Sequence, residues 1–156
     1  MKKILNSVSL VAVMFFLTGC PYESSVTIDN PSVKINTKLL GAWKDKKNSD
    51  IYTVEKHDEF TYGITQSKDN DKLLAFVSIV NGVNFLNFWE PGSDAPSKKY
   101  SFYKMEMQTD GSLLLSEITD NITESFTSSD DLKKFISANM KNSYFFGKET
   151  VTLVRN

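Results

Sequence analysis

This 156-residue chain has one histidine, His57, which could be a general base or a metal ligand, and one cysteine, Cys20. His57 stands in the hydrophilic sequence Lys-His-Asp-Glu at 56–59. A zinc site would need further His or Cys ligands, and a Ser-His-Asp hydrolase would show a nucleophile motif such as Gly-x-Ser-x-Gly. We therefore expect His57 to be an exposed turn residue, and the sequence predicts no enzymatic activity.

Two clusters of acidic residues could be considered as calcium-binding sites. Asp69-Asn70-Asp71 lacks the glycine and the distal glutamate of a calcium loop. Asp130-Asp131 is explained by the favourable interaction of negative charge with a helix N-terminus. No metal and no cofactor are predicted.

Cys20 ends a stretch with the features of an export signal. Lys2 and Lys3 are followed by the apolar run 8–17, which is far shorter than the roughly 20 residues a membrane-spanning helix needs. Leu17-Thr18-Gly19-Cys20 resembles the lipobox of bacterial lipoproteins. The resemblance implies that the Cys20 sulfur receives a diacylglyceryl group and that a peptidase cuts between Gly19 and Cys20. Residues 1–19 are then a cleaved signal peptide.

Lipidation at Cys20 would decide the location of the protein. The resemblance also implies acylation of the new amine, and two or more chains make a lasting anchor where one does not. Since Cys20 is the only cysteine, none remains for a disulfide, and apolar burial must stabilise the domain. We expect an exported protein of the cell envelope. The residue after Cys20 is Pro21 and not the aspartate associated with retention in the inner membrane, which favours the outer membrane. Which face of the membrane displays the domain stays open.

The charge distribution argues against a nucleic-acid partner. The formal net charge is −1, and no basic cluster exceeds two adjacent lysines. Nucleic-acid binding requires a concentrated basic face.

The remaining residues predict a tether followed by one β domain. Residues 20–38 are rich in Ser, Thr, Asn and Pro and read as an extended tether. In 39–156, short apolar and aromatic runs alternate with turn sequences, the pattern of an antiparallel meander. Asn81-Gly82 between two such runs predicts a type I′ hairpin, and Asp110-Gly111 lies between another two.

The pattern changes near the C-terminus. Leu132, Phe135, Ile136 and Met140 form a single helical stripe. The predicted order is therefore a meander, one helix over 130–141, and a last strand over 149–155.

Gly41-Ala42-Trp43 at the start of the first main strand resembles the Gly-x-Trp signature of lipocalins. In that family the tryptophan plugs the closed end of a barrel, a helix precedes the last strand, and a basic residue late in the chain packs on the tryptophan. The resemblance implies a lipocalin-like barrel of about eight strands in which Gly41, Trp43 and Arg155 form the plug.

Two functions stay open for such a barrel. If the lumen is unfilled, residues such as Phe76, Phe85, Trp89 and Phe102 would line a calyx for a small apolar ligand. If the lumen is filled, the domain would be a non-enzymatic accessory or scaffold part of an envelope protein complex. A large empty lumen favours the first function, and a filled lumen favours the second.

Overall fold

A computed structural model describes residues 21–92 and 98–156. The predicted lipobox, with Gly19 and Cys20, lies outside the described residues. The described chain holds a 3₁₀ turn at Thr37–Leu39, one helix, α1, at Ser129–Asn139, and nine strands: β1 Glu23–Ser24, β2 Gly41–Asp45, β3 Ile51–Lys56, β4 Thr61–Gln66, β5 Lys72–Val80, β6 Val83–Trp89, β7 Tyr100–Met107, β8 Leu113–Ile118 and β9 Phe146–Arg155. None of its helices is long and apolar enough to cross a membrane.

Strands β2 to β9 form a closed antiparallel barrel. Each pairs with the next in chain order, and β9 pairs back with β2, where Trp43 lies opposite Arg155. Closure leaves none of these eight strands with an unpaired edge along its whole length. The predicted fold class is confirmed: the protein is mainly β, with an eight-stranded barrel and one helix before the last strand.

Local sequence signals account for the main turn and for the helix. Asn81 and Gly82, which connect β5 to β6, have φ angles of 49° and 80°, as a type I′ turn requires. The Ser128 side chain caps α1 by accepting a hydrogen bond from the backbone N–H of Asp131. Leu132 and Ile136 on the helical stripe are buried. The hairpin and the helix thus form where the sequence predicts them.

The alternation of side chains along the strands produces two apolar clusters on opposite faces of the barrel wall. The inner cluster lies in the lumen: Leu39, Trp43, Tyr52, Tyr62, Leu73, Ala75, Val77, Leu86, Phe88, Tyr103, Met105, Leu113, Leu115 and Leu153. The outer cluster lies between the wall, α1 and the N-terminal segment: Tyr22, Ile28, Val80, Phe85, Phe102, Ile118, Ile122, Leu132, Ile136 and Phe145.

The segment expected to be a tether, 20–38, packs against the barrel over its described part. Glu23 pairs with Ser101 at the start of β7. Ile28 is fully buried, and its backbone N–H donates to Oδ1 of Asn87 at 2.9 Å. The reason is that β7 begins before its pairing with β8 and so offers a free edge, while the apolar side chains of the segment cover the outer wall. The segment is therefore part of the domain.

Candidate functional site

Trp43 belongs to the inner cluster and lies near one end of the lumen, where it is only 1% exposed. Its indole Nε1 donates a hydrogen bond to the carbonyl oxygen of Leu39 at 2.8 Å. The guanidinium of Arg155 lies over the indole, with Cζ 4.0 Å from the ring centroid. This distance is typical of a cation–π contact.

Arg155 also joins the plug to the chain that leads into β2. Its Nη1 donates to the carbonyl oxygen of Leu40 at 2.7 Å, and its Nη2 donates to that of Lys38. Gly41 has a φ of +113°, and a Cβ at this position would lie 3.0 Å from Arg155 Nη1. The backbone conformation therefore favours glycine at this position, and a side chain there would also displace the guanidinium slightly. The structure brings the three residues of the expected plug, Gly41, Trp43 and Arg155, together at one end of the barrel, here called the plug end.

A small cavity remains in the lumen above the plug. Its volume is about 50 Å³. A water molecule needs about 10–15 Å³ by such a measure, and an engineered cavity of about 150 Å³ accepts benzene. All lining side chains are aliphatic or aromatic: Leu39, Trp43, Tyr52, Val54, Tyr62, Ile64, Leu86, Phe88, Met105, Leu113, Leu115 and Leu153.

The four residues expected to line a ligand calyx do not line this cavity. Phe85 and Phe102 belong to the outer cluster, under α1 and the N-terminal segment. Phe76 follows the inward-facing Ala75 and so points outward, where its ring lies 5.9 Å from that of Trp89. The prediction that Phe76, Phe85, Trp89 and Phe102 line the lumen is therefore corrected. The cause is that β5 and β6 are apolar on both faces, so that their composition does not distinguish inside from outside.

The lumen has a polar end opposite the plug. Glu117 lies on the inner face of β8, four residues beyond Leu113 and hence about 13 Å farther along the strand. The hydroxyl of Tyr103 lies 3.5 Å from Glu117 Oε2. A Cβ on Gly147 would lie 2.8 Å from both Cγ and Oε1 of Glu117. The absence of a side chain at Gly147 therefore makes room for a buried carboxyl group.

Burial raises the pKa of the Glu117 carboxyl above its ordinary value. The hydrogen bond from Tyr103 acts in the opposite direction, and the negative charge of Asp120 adds to the rise. Burial also raises the pKa of the Tyr103 hydroxyl, and the negative charge of Glu117 adds to that effect. The polar end thus holds a carboxyl group that resists ionisation beside a phenol that does so as well.

Family models, curated proteins and solved structures were compared with the chain, and none matched.

His57 is a weak candidate for a catalytic or metal-binding role. It is exposed in the turn between β3 and β4, and its backbone N–H donates to the carbonyl oxygen of Thr61 at 3.0 Å. Within 21–92 and 98–156, no group of three or more His, Cys, Asp or Glu residues is placed to hold a metal ion.

Sequence reasoning missed two structural residues, Asn87 and Glu117. Asn87 is fully buried on the outer face of β6, and Glu117 is buried on the inner face of β8. Each is a polar residue in a mainly apolar strand, which is the signal that could have identified it, because a buried polar group needs a dedicated partner. Ile28, whose N–H donates to Asn87, and Gly147, which leaves space for the Glu117 side chain, lie far away in the sequence.

Proposed function

We propose that this chain is a lipid-anchored protein of the bacterial cell envelope whose filled barrel serves as a rigid, non-enzymatic accessory module of an envelope assembly. The observation that carries the filled-barrel part is the cavity volume of about 50 Å³. Sites for drug-sized ligands and cofactors occupy about 300–1,000 Å³. The aromatic side chains of Trp43, Tyr52, Tyr62, Phe88 and Tyr103 occupy the space that such a ligand would need.

The lipid anchor in this proposal is supported by the lipobox-like sequence that ends at Cys20. Metabolic labelling with an alkyne fatty acid, followed by the intact mass of the purified protein, tests it. The wild type is expected to carry the label and to begin at Cys20. Cys20→Ala should lose the label and keep the signal peptide, whereas the control Thr18→Ser, which retains a small residue, should behave as the wild type. A Cys20→Ala protein that is still processed and membrane-bound would contradict the anchor.

A second candidate function is the binding of a very small apolar molecule. It is favoured by one observation, the wholly aliphatic and aromatic lining of the cavity. Apolar cavities of this kind stay dry and can accept small apolar guests.

Native mass spectrometry of the chain expressed from Pro21 separates the two functions. The filled-barrel proposal predicts the bare protein mass, unchanged after incubation with an extract of cell lipids. An extractable adduct of lipid size would contradict it, and an adduct of only a few heavy atoms would favour the second function. The control is Leu115→Trp, which adds side-chain volume to the cavity wall and should abolish any adduct held in the lumen.

A further inference from the structure

The described chain enters the fold at the end of the barrel opposite the plug. Pro21 forms a bridge with Thr119, just past the end of β8. The backbone N–H of Tyr22 donates to the carbonyl oxygen of Ile118 at 2.8 Å, and Ser24 pairs with Tyr100 at the start of β7. We call this end of the barrel, where β6 and β8 finish and β7 starts, the entry end. Cys20 directly precedes Pro21 in the sequence, so a lipid on Cys20 would leave the protein at this end.

The segment that connects Pro21 to the barrel is fixed to the wall by side-chain contacts. The Tyr22 side chain is buried, and its hydroxyl donates to the carbonyl oxygen of Glu124 at 2.8 Å. Ile28 is held by Asn87, and the Lys133 side chain on α1 forms an ion pair with Asp29. The usual flexible spacer of an anchored domain is therefore replaced by a segment that is fixed to the wall.

Amphipathic aromatic residues flank the entry point on both sides. Tyr144 is 64% exposed and precedes Phe145, whose carbonyl oxygen accepts a hydrogen bond from Thr119 N–H at 3.2 Å. On the other side, Lys98 Nζ lies 4.9 Å from the ring centroid of Trp89 and 5.3 Å from that of Tyr100. Trp and Tyr favour the interface between membrane and water, and lysine is attracted to anionic headgroups.

We propose that the entry end is a membrane-docking surface, so that the barrel stands on the lipid headgroups with its plug end directed away from the bilayer. This inference rests on the lipid anchor proposed above. The exposed carboxylates of Glu23 and Asp120 lie at the same end and limit the contact to the headgroup region, because charged groups are costly in hydrocarbon.

Fluorescence quenching in vesicles of phosphatidylethanolamine and phosphatidylglycerol tests the orientation. An environment-sensitive fluorophore is attached to Tyr144→Cys or to Met107→Cys in the full, acylated protein. Met107 is the matched control because it is also an exposed apolar side chain, 47% accessible, and it lies on β7 toward the plug end. The thioether at Cys20 leaves the introduced cysteine as the only thiol.

Docking predicts that the emission at position 144 is blue-shifted and is quenched by headgroup-labelled nitroxide lipids. The emission at position 107 should be the same as that of the same labelled protein in buffer without vesicles or detergent. Equal quenching at the two positions, or stronger quenching at 107, would overturn the docking surface. The intact mass of the same sample distinguishes the two failures. An unacylated protein would overturn both the anchor and the docking surface, while an acylated protein with equal quenching would overturn the docking surface alone.

Discussion

The guanidinium of Arg155 stacks over the indole of Trp43, with Cζ 4.0 Å from the ring centroid. The two residues face each other on paired strands, β2 and β9, and this pairing is the one that closes the barrel. The contact therefore ties the last strand to the first strand of the barrel. Substitutions of Trp43 and Arg155 therefore test how the domain is stabilised.

Trp43→Ala should lower the free energy of unfolding by about 3–5 kcal/mol, because it removes a fully buried aromatic side chain and leaves a cavity at the plug. Urea denaturation of the chain expressed from Pro21 measures this value. The control, Tyr144→Ala, alters a side chain that is 64% exposed and should change the free energy by no more than about 0.5 kcal/mol. Equal midpoints for Trp43→Ala and the wild type would contradict the role of Trp43 as a buried plug.

Arg155→Met should cost about 1 kcal/mol of unfolding free energy, since an exposed cation–π contact is worth about 0.5–1 kcal/mol and the apolar stem is retained. Arg155→Lys keeps the charge but loses the paired donation to the carbonyl oxygens of Leu40 and Lys38. It should recover only part of the loss. The same denaturation experiment measures both variants, and full recovery by lysine would show that the two hydrogen bonds contribute nothing.

Gly147→Ala should destabilise the protein by about 1–3 kcal/mol through overpacking, because the new Cβ would lie 2.8 Å from Glu117 Cγ. Glu117→Ala removes the atoms with which it would clash, so the double variant should tolerate alanine at position 147. A double-mutant cycle measures this coupling. If the two costs simply add, the side chain of Glu117 does not occupy the space beside Gly147.

The stability of the protein should depend on pH through Glu117. Burial raises its pKa in the folded state above the unfolded value, so the folded state binds more protons and the free energy of unfolding falls as the pH rises through the two values. Glu117→Gln removes this pH-dependent loss. Relative to the wild type, it should therefore raise the free energy of unfolding more at pH 7 than at pH 4. Denaturation at the two pH values measures the difference.

Asp58→Asn is the control of opposite sign for the pH experiment. The backbone N–H of Phe60 holds the pKa of Asp58 below its ordinary value, so its stabilising contribution is lost as the pH falls. The free energy of unfolding of the asparagine variant should accordingly fall further below that of the wild type at pH 7 than at about pH 3, which lies below the ordinary value of 3.8. A pH-independent effect of Glu117→Gln would mean that the carboxyl is solvated.

Asn87→Ala should release the N-terminal segment from the wall. The Asn87 side chain accepts from Ile28 N–H at 2.9 Å and donates to Ser78 Oγ at 2.9 Å, and its loss leaves buried polar groups unpaired at a cost of about 1–3 kcal/mol. Limited proteolysis should cut faster within 25–36. Asn84→Ala, at an exposed position on the same strand, is the matched control. Equal cleavage rates for the two variants would show that Asn87 does not hold the segment.

Short-range sequence features determined a large part of the fold. Asn81-Gly82 specifies its own turn because both residues accept positive φ, and the stripe that includes Leu132 and Ile136 specifies a helix because only one face of it is apolar. The resemblance of Gly41-Ala42-Trp43 to the lipocalin signature implied the contact between Trp43 and Arg155, and the structure places it where β2 pairs with β9. For the turn and the helix, the deciding information lies within a few residues.

The tertiary structure alone decided which face of each strand points into the lumen and what occupies it. Phe76 and Phe85 are as apolar as the inner residues Val77 and Leu86, so burial favours either face equally, and the choice depends on which elements cover the outside. The packing of Ile28 on Asn87 and of Glu117 against Gly147 depends on contacts between distant parts of the chain. Such contacts arise only once the barrel has closed, and they make the expected tether part of the domain.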